Sequence, residues 1–402
     1  MSCFSGGVGA ALITTNKGLK PQKVVLVSVN SAWNVANFRA GLVKRLQAAG
    51  YRVIVATPND PHVDRVRALG CEWVELPINA KGINPFGDMR LFLRYWRTLR
   101  SFRPIAYLGF TIKPNVYGSL AAGLLGVPAI NNIAGLGTTF LRNGWLNWIA
   151  KVLYRFALRR SHRVFFQNGD DQKLFVRQGL VDASQSVLLP GSGVDLQRFT
   201  PVIACKDGGS PLVALMCARL LWDKGVQEFV DATRTSRARG VEFDARLLGF
   251  LDVANPSAVP RENVEAWQRE GLITYLGEAE DVRPMLGEAD VVVLPSYYPE
   301  GTPRSLLEAA AMGKPIITTD SPGCRDVVRE GLNGYLVPVR DAGALAEALS
   351  RFYELSMEQR AEMGRASRAL VEERYDERIV VEAYLLALAE LPEPPTTGND
   401  SS

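Results

Sequence analysis

Short β-branched runs alternate with amphipathic stretches of about ten to fifteen residues along almost the whole chain, the pattern of strands joined by crossover helices on a parallel sheet. The alternation occurs twice. The first series of strands reads "KVVLVSV" (23–29), "RVIVAT" (52–57), "CEWVELP" (71–77), "IAYLGF" (105–110), "PAINNI" (128–133), "RVFFQN" (163–168) and "SVLLP" (186–190). It breaks at "GSGVDLQRFTPVIACKDGGSP" (191–211), where Gly, Pro and charge without apolar periodicity read as a linker. The second series reads "LVALMCA" (212–218), "FDARLLG" (243–249), "ITYLG" (273–277), "VVVLP" (291–295), "PIITT" (315–319) and "GYLVP" (334–338), and residues 341–390 read as helical.

A chain of 402 residues exceeds one ordinary core. The expectation is therefore an α/β protein with two doubly wound, Rossmann-like domains, residues 1–200 and 201–374. A helix over 375–390 would pack back on the first domain, and 391–402 would form a disordered tail. Open parallel sheets bind ligands outside the carboxyl ends of their strands, so two such domains facing each other make a cleft whose chemistry lies in strand-to-helix loops.

Charge is unevenly shared. Residues 1–200 carry 25 Lys and Arg against 9 Asp and Glu, which leaves 21 against 33 for the rest. A basic first half suits a phosphate-bearing lipid or an acidic membrane surface, and no RNA- or DNA-binding module is present in the sequence. Cys3, Cys71, Cys205, Cys217 and Cys324 stand far apart without a CxxC pair, which suits a reducing cytoplasm. "SGGVGAA" (5–11) precedes the first strand instead of following it, so it reads as a flexible leader and not as a dinucleotide fingerprint. The longest apolar run, 116–130, is broken by Gly and Pro and is too short to span a bilayer. Two basic, aromatic-rich helical segments, 88–104 and 144–163, have the composition of interfacial helices, so peripheral contact with the inner face of the cell membrane is expected.

The stretch "SYYPEGTPRSLLEAAAMGK" (296–314) holds two carboxylates, Glu300 before a helix start and Glu308 inside it. Thr302 is the expected N-cap and Pro303 the expected first helical residue, so Gly301, Thr302, Pro303 and Arg304 form a helix start that offers free N–H groups to an anion. Carboxylates beside an anion site accept hydrogen bonds from hydroxyls attached to that anion, which points to a nucleotide-sugar. Taken alone, the spacing is equally that of a loop surface residue and a helix charge. Arg219 and Lys224 follow another strand and supply two cations to the same cleft.

The words "PSYYPEGTPRSLLEAAAMGKPIITTDSPGCRDVV" and "CARLLWDKGVQEFVDA" (217–232) resemble the signature of glycosyltransferase family 4, retaining enzymes of the GT-B fold. The resemblance runs from residue 23 to about 385. "NSAWNVANFRAGL" (30–42) and "TIKPNVYGSLAAGLLGVPAINNIAGLGTTF" (111–140) are similar to bacterial transferases that extend undecaprenyl-diphosphate-linked sugars. It implies that Arg219 and Lys224 neutralise the donor diphosphate, that Glu308 holds the ribose and that Glu300 positions the transferred sugar. A hexose or N-acetylhexosamine would pass from a UDP-sugar to a polyprenyl-diphosphate-linked saccharide, with no metal and no other cofactor. Two alternatives on the same fold are a nucleotide-sugar epimerase and a non-catalytic nucleotide-sugar-binding subunit. The sequence departs from the family pattern in two places. Many members carry a His near the reacting carbon, whereas His62 and His162 here lie outside any matching motif and read as surface residues, with Gly135 to Thr138 in the corresponding loop. Thr302 also stands where a bulky apolar residue is common.

Overall fold

A computed structural model describes residues 22–79, 84–135, 145–202, 211–253 and 255–392. The leader, Leu136 to Thr138, Cys205 and the tail from residue 393 lie outside the described residues.

Among the described residues there are two sheets, of seven and six strands, with every pairing parallel. The first comprises β1 (Val24–Ser28), β2 (Arg52–Thr57), β3 (Glu72–Glu75), β4 (Ala106–Phe110), β5 (Ala129–Ile133), β6 (Arg163–Phe166) and β7 (Ser186–Leu188). The second comprises β8 (Leu212–Cys217), β9 (Phe243–Leu248), β10 (Thr274–Tyr275), β11 (Val291–Leu294), β12 (Ile316–Thr319) and β13 (Gly334–Val337). Each run named from sequence forms its strand, shortened by one to three residues in most cases. β4, β5, β11 and β12 are buried at every position, which is why they read as continuous apolar runs and not as alternating ones.

The strand orders are β3-β2-β1-β4-β5-β6-β7 and β10-β9-β8-β11-β12-β13. In both, the winding reverses beside the first strand, between β1 and β4 and between β8 and β11. Those reversals open crevices at the carboxyl ends.

Helices cover both faces of the first sheet. Leu91, Tyr95 and Leu99 of the helix Pro85–Phe102 pack on one face with Tyr107 and Ala121. The other face is covered by Leu42, Val43 and Leu46 together with Val380, Val381, Tyr384 and Leu388 of the helix Glu377–Ala389. The second sheet has its own core, which includes Phe229, Leu306, Leu307 and Phe352.

The described part of the linker, residues 191–202, is more ordered than its composition implies. Val194 N–H donates to Tyr375 O at 2.8 Å, Glu377 N–H donates to Val194 O at 3.0 Å, and Phe199 is buried in the second core. The two chain crossings between sheets thus lie side by side. The helical stretch from 341 is three helices, Ala342–Glu354, Met357–Arg374 and Glu377–Ala389. Ser356 and Asp376 cap the second and third.

Candidate active site

The loops leaving β8 and β11 meet at the carboxyl edge of the second sheet. Gly225 makes this possible: its φ is +83°, and a Cβ there would stand 2.1 Å from Pro295 O, so only glycine lets the loops approach so closely. The approach sets Lys224 beside Glu300. Lys224 Nζ and Glu300 Oε1 form an ion pair, with both side chains close to nine-tenths buried. The Ser296 hydroxyl lies 3.1 Å from the same Oε1, and Lys224 Nζ sits 5.5 Å from the Tyr298 ring centre.

One turn along the helix Arg304–Ala311 stands a second pair, Arg304 Nε to Glu308 Oε1 at 3.0 Å. Burial pushes the Glu308 carboxyl above its ordinary pKa, and the charge of Arg304 opposes that shift. Arg304 also reaches the other half of the molecule, where its Nη1 donates to Gly193 O at 2.6 Å and its guanidinium lies over the Phe38 ring. Arg219 is exposed just after β8 and enters no ion pair among the described residues. The structure thus gathers Lys224 with Glu300 and Arg304 with Glu308, and leaves Arg219 open to solvent.

The helix start differs from the expected one. Pro303 occupies the N-cap with φ −61° and ψ 120°, and the first helical residue is Arg304. Thr302 is no cap: its hydroxyl donates to Gln167 O at 2.8 Å, across to the first sheet. Thr302 is buried, so its hydroxyl must find an acceptor, and the carbonyl after β6 supplies one.

That contact belongs to a seat which the sequence did not reveal. Asn168 Nδ2 donates to Glu300 O at 2.8 Å and to Asp171 Oδ2 at 3.0 Å. Gly301 fits against Gln167 and Ala134, where a Cβ would stand 2.5 Å from Gln167 Oε1 and 2.9 Å from Ala134 O. Gly135 packs against the same loop. The loop carrying Glu300 is therefore held by the carboxyl ends of β5 and β6. Asp171 is buried beside it, and burial pushes its carboxyl pKa up to about 6. The N-x-x-D spacing of Asn168 and Asp171 is legible as a helix cap, which it also is, with Asp171 N–H donating to Asn168 Oδ1 at 2.7 Å.

The histidines lie elsewhere. His162 is partly exposed with its Nε2 at 3.2 Å from Glu390, and His62 precedes the helix Val63–Arg67. Among the described residues no three His, Cys, Asp or Glu side chains converge as metal ligands would.

Residues 35–191 match the glycosyl transferase 4-like domain, and residues 211–354 match the glycosyl transferases group 1 domain. A Campylobacter jejuni protein, N,N'-diacetylbacillosaminyl-diphospho-undecaprenol alpha-1,3-N-acetylgalactosaminyltransferase, is 27% identical over 88% of this chain and 94% of its own length. The Escherichia coli UDP-Gal:alpha-D-GlcNAc-diphosphoundecaprenol alpha-1,3-galactosyltransferase is 24% identical over 69% and 73%. Anabaena Alr3699/HepE in complex with UDP-glucose superposes with a TM-score of 0.75 at 18% identity, over 92% of this chain and 100% of that one. With a 4-like domain followed by a group 1 domain on the GT-B fold, the chain belongs to the glycosyltransferases of this two-domain family.

Proposed function

We propose that the protein moves a hexose or N-acetylhexosamine, with retention, from a UDP-sugar to a polyprenyl-diphosphate-linked saccharide during surface glycan assembly. The observation that carries this reading is the pairing of Lys224 with Glu300 and Arg304 with Glu308 around one helix start. An arriving diphosphate offers Lys224 and Arg219 a stronger partner than a carboxylate does, and the exchange frees Glu300 to accept hydrogen bonds from the transferred sugar. Glu308 then accepts hydrogen bonds from the ribose. The same cations then stabilise the charge that develops on the departing nucleotide, so catalysis is electrostatic and positional. A leaving phosphate oxygen takes the acceptor hydroxyl's proton on the face from which it departs. The acceptor class draws support from the two undecaprenol-linked relatives, and the donor class from the UDP-dependent ones.

The acceptor's lipid places the enzyme at a membrane surface. No helix of the described residues is long and apolar enough to cross one. Phe86 (85% exposed), Met89 and Leu93 stand on the outer face of the helix Pro85–Phe102 among Arg90, Arg94, Arg97 and Arg100, which are also exposed. Trp148 and Phe156 are exposed on the helix Trp145–Leu158, with Arg155, Arg159 and Arg160 exposed at its end. The short helix Ser119–Leu124, with Leu124 exposed, packs against both. Each helix also buries its opposite face, so core packing and lipid contact use different residues of one helix. Each cation contributes about 1 kcal/mol to binding an anionic surface, which makes docking cumulative, reversible and salt-sensitive.

Incubation with a panel of nucleotide-sugars and a short-chain polyprenyl-diphosphate-linked N-acetylhexosamine, followed by mass spectrometry, tests the reaction. The expected product is the acceptor plus one hexosyl or N-acetylhexosaminyl unit, with UDP released. Conversion of the donor sugar without acceptor would replace this reading by the epimerase. Sedimentation with anionic and neutral liposomes tests docking; equal absence from both at low salt would remove it.

A further inference from the structure

Among the described residues, three buried polar atoms without a hydrogen-bond partner belong to residues that follow the carboxyl ends of β1 and β4, the strands on either side of the reversal: Asn34 Oδ1, Arg39 Nε and Thr111 Oγ1. Asn34 lies on the helix Ala32–Phe38 that follows β1, Arg39 directly ends that helix, and Thr111 directly follows β4. Folded proteins pair nearly all such atoms, so three around one topological reversal call for a common cause.

Arg39 is the most demanding of them. It is 5% exposed, its guanidinium carbon lies 4.4 Å from the Phe110 ring centre, and among the described residues its guanidinium makes no hydrogen bond or ion pair. Burial pulls its pKa below the ordinary arginine value; the Tyr384 phenol opposes that pull, and the like charge of Arg304 adds to it. A lone buried charge of this kind destabilises the resting fold. Thr111 adds strain to the same place: its φ is +66°, a region that a β-branched residue rarely enters. Strained backbone held beside unmet hydrogen-bonding capacity is characteristic of ligand sites.

We infer that the crevice formed by Asn34, Arg39 and Thr111 is a subsite for a phosphorylated saccharide. Arg39 and the Thr111 hydroxyl donate to phosphate oxygens, and Asn34 Oδ1 accepts from a sugar hydroxyl. A guanidinium suits this role because its planar fork matches phosphate oxygens and keeps its charge when buried. The donor diphosphate belongs to Lys224, Arg219 and the helix start on the other sheet, so the phosphate held here is the acceptor's. That last assignment rests on the proposed function; the subsite itself does not.

The test uses full-length wild type and Arg39→Met, which keeps bulk and removes charge. Because Arg39 has no ionic partner to lose, the variant melts at or above the wild-type temperature without ligand. Its KM for the polyprenyl-diphosphate-linked N-acetylhexosamine rises about 10-fold or more, as for a lost charged hydrogen bond. Its affinity for UDP and its KM for an alkyl glycoside of the same sugar, which lacks phosphate, stay unchanged. Thr111→Val shows the same pattern with a smaller rise. A lower melting temperature with an unchanged acceptor KM would make Arg39 structural and overturn the subsite.

Melting with N-acetylhexosamine 1-phosphate separates this inference from the reaction. A wild-type shift that is lost in Arg39→Met supports the subsite even if no transfer is found. No shift in wild type overturns it even if transfer is found. Transfer to the soluble sugar phosphate as efficient as to the lipid-linked acceptor, and equally dependent on Arg39, keeps the subsite and assigns the phosphate to a soluble acceptor.

Discussion

The carboxyl ends of the two sheets are wound alike and furnished in opposite ways. At the second sheet, Lys224 and Arg304 each already hold a carboxylate. At the first, Arg39 Nε, Asn34 Oδ1 and Thr111 Oγ1 find no hydrogen-bond partner among the described residues. A ligand entering the second crevice must displace existing ion pairs, which favours one with high charge density such as a diphosphate. A ligand entering the first relieves a deficit and can be recognised by a few groups. The shared winding around the reversal therefore leaves the electrostatic starting state of each crevice to individual side chains.

Breaking the paired side should have the largest effect. Lys224→Ala removes a transition-state cation and strands the buried Glu300, and kcat should fall about 10²- to 10³-fold in a steady-state transfer assay. Arg219→Ala, without a resting partner, should lower kcat to a similar degree while leaving the melting temperature unchanged. Full activity in both would return these cations to ordinary surface charge.

Next comes the seat that joins the crevices. Gly301→Ala places a Cβ into Gln167 and Ala134, and overpacking of this kind costs about 1–3 kcal/mol. Thermal unfolding should register the loss, with kcat lowered because the loop of Glu300 is displaced.

Glu308→Gln sharpens the contrast further, since Arg304 remains held by Gly193 O. The expectation is a Kd for the UDP-sugar raised about 10-fold with little change in kcat, measured by calorimetry and initial rates. An unaltered Kd would remove the ribose from Glu308.

The smallest effect concerns Asp171. Its folded pKa of about 6 lies above the usual 3.8, so between those values the folded state binds more protons than the unfolded one. Its ionisation thus lowers stability progressively as pH rises from about 4 to 6, and the loss is complete above that window. Asp171→Asn should melt a few degrees higher than wild type at pH 7.5, with the advantage gone below about pH 4, since about 1 kcal/mol corresponds to a few degrees at this size. A constant difference across pH would place the effect in packing instead of charge.

Most of the fold was legible because strands buried on both faces must be written in β-branched and aliphatic residues, and helices between them in a 3.6-residue period. β10 is the weakest match, reduced to two residues, Thr274–Tyr275, at the edge of its sheet. Glu300, Glu308, Arg219 and Lys224 could be singled out as polar residues on strand-to-helix loops and a helix start, but their spacing alone fits surface charge equally, and it was the resemblance that suggested roles for them. Thr302 was misread because a residue 135 positions away claims its hydroxyl, and no local rule encodes that. Arg39 and Asn168 escaped for the same reason: each looks like ordinary helix-end polarity until the fold shows what surrounds it.

The helix Glu377–Ala389 covers a face of the first sheet, yet it leaves the ribosome nearly two hundred residues after β7. At about 5–20 residues per second, once β7 is made Val25, Val27, Val53 and Val55 wait on the order of a further ten to forty seconds for Val380, Tyr384 and Leu388. The second sheet, whose strands follow one another without such an interval, can complete itself in the meantime. The domain made first is thus finished last, and during that wait its half-covered apolar face is a natural client for a chaperone.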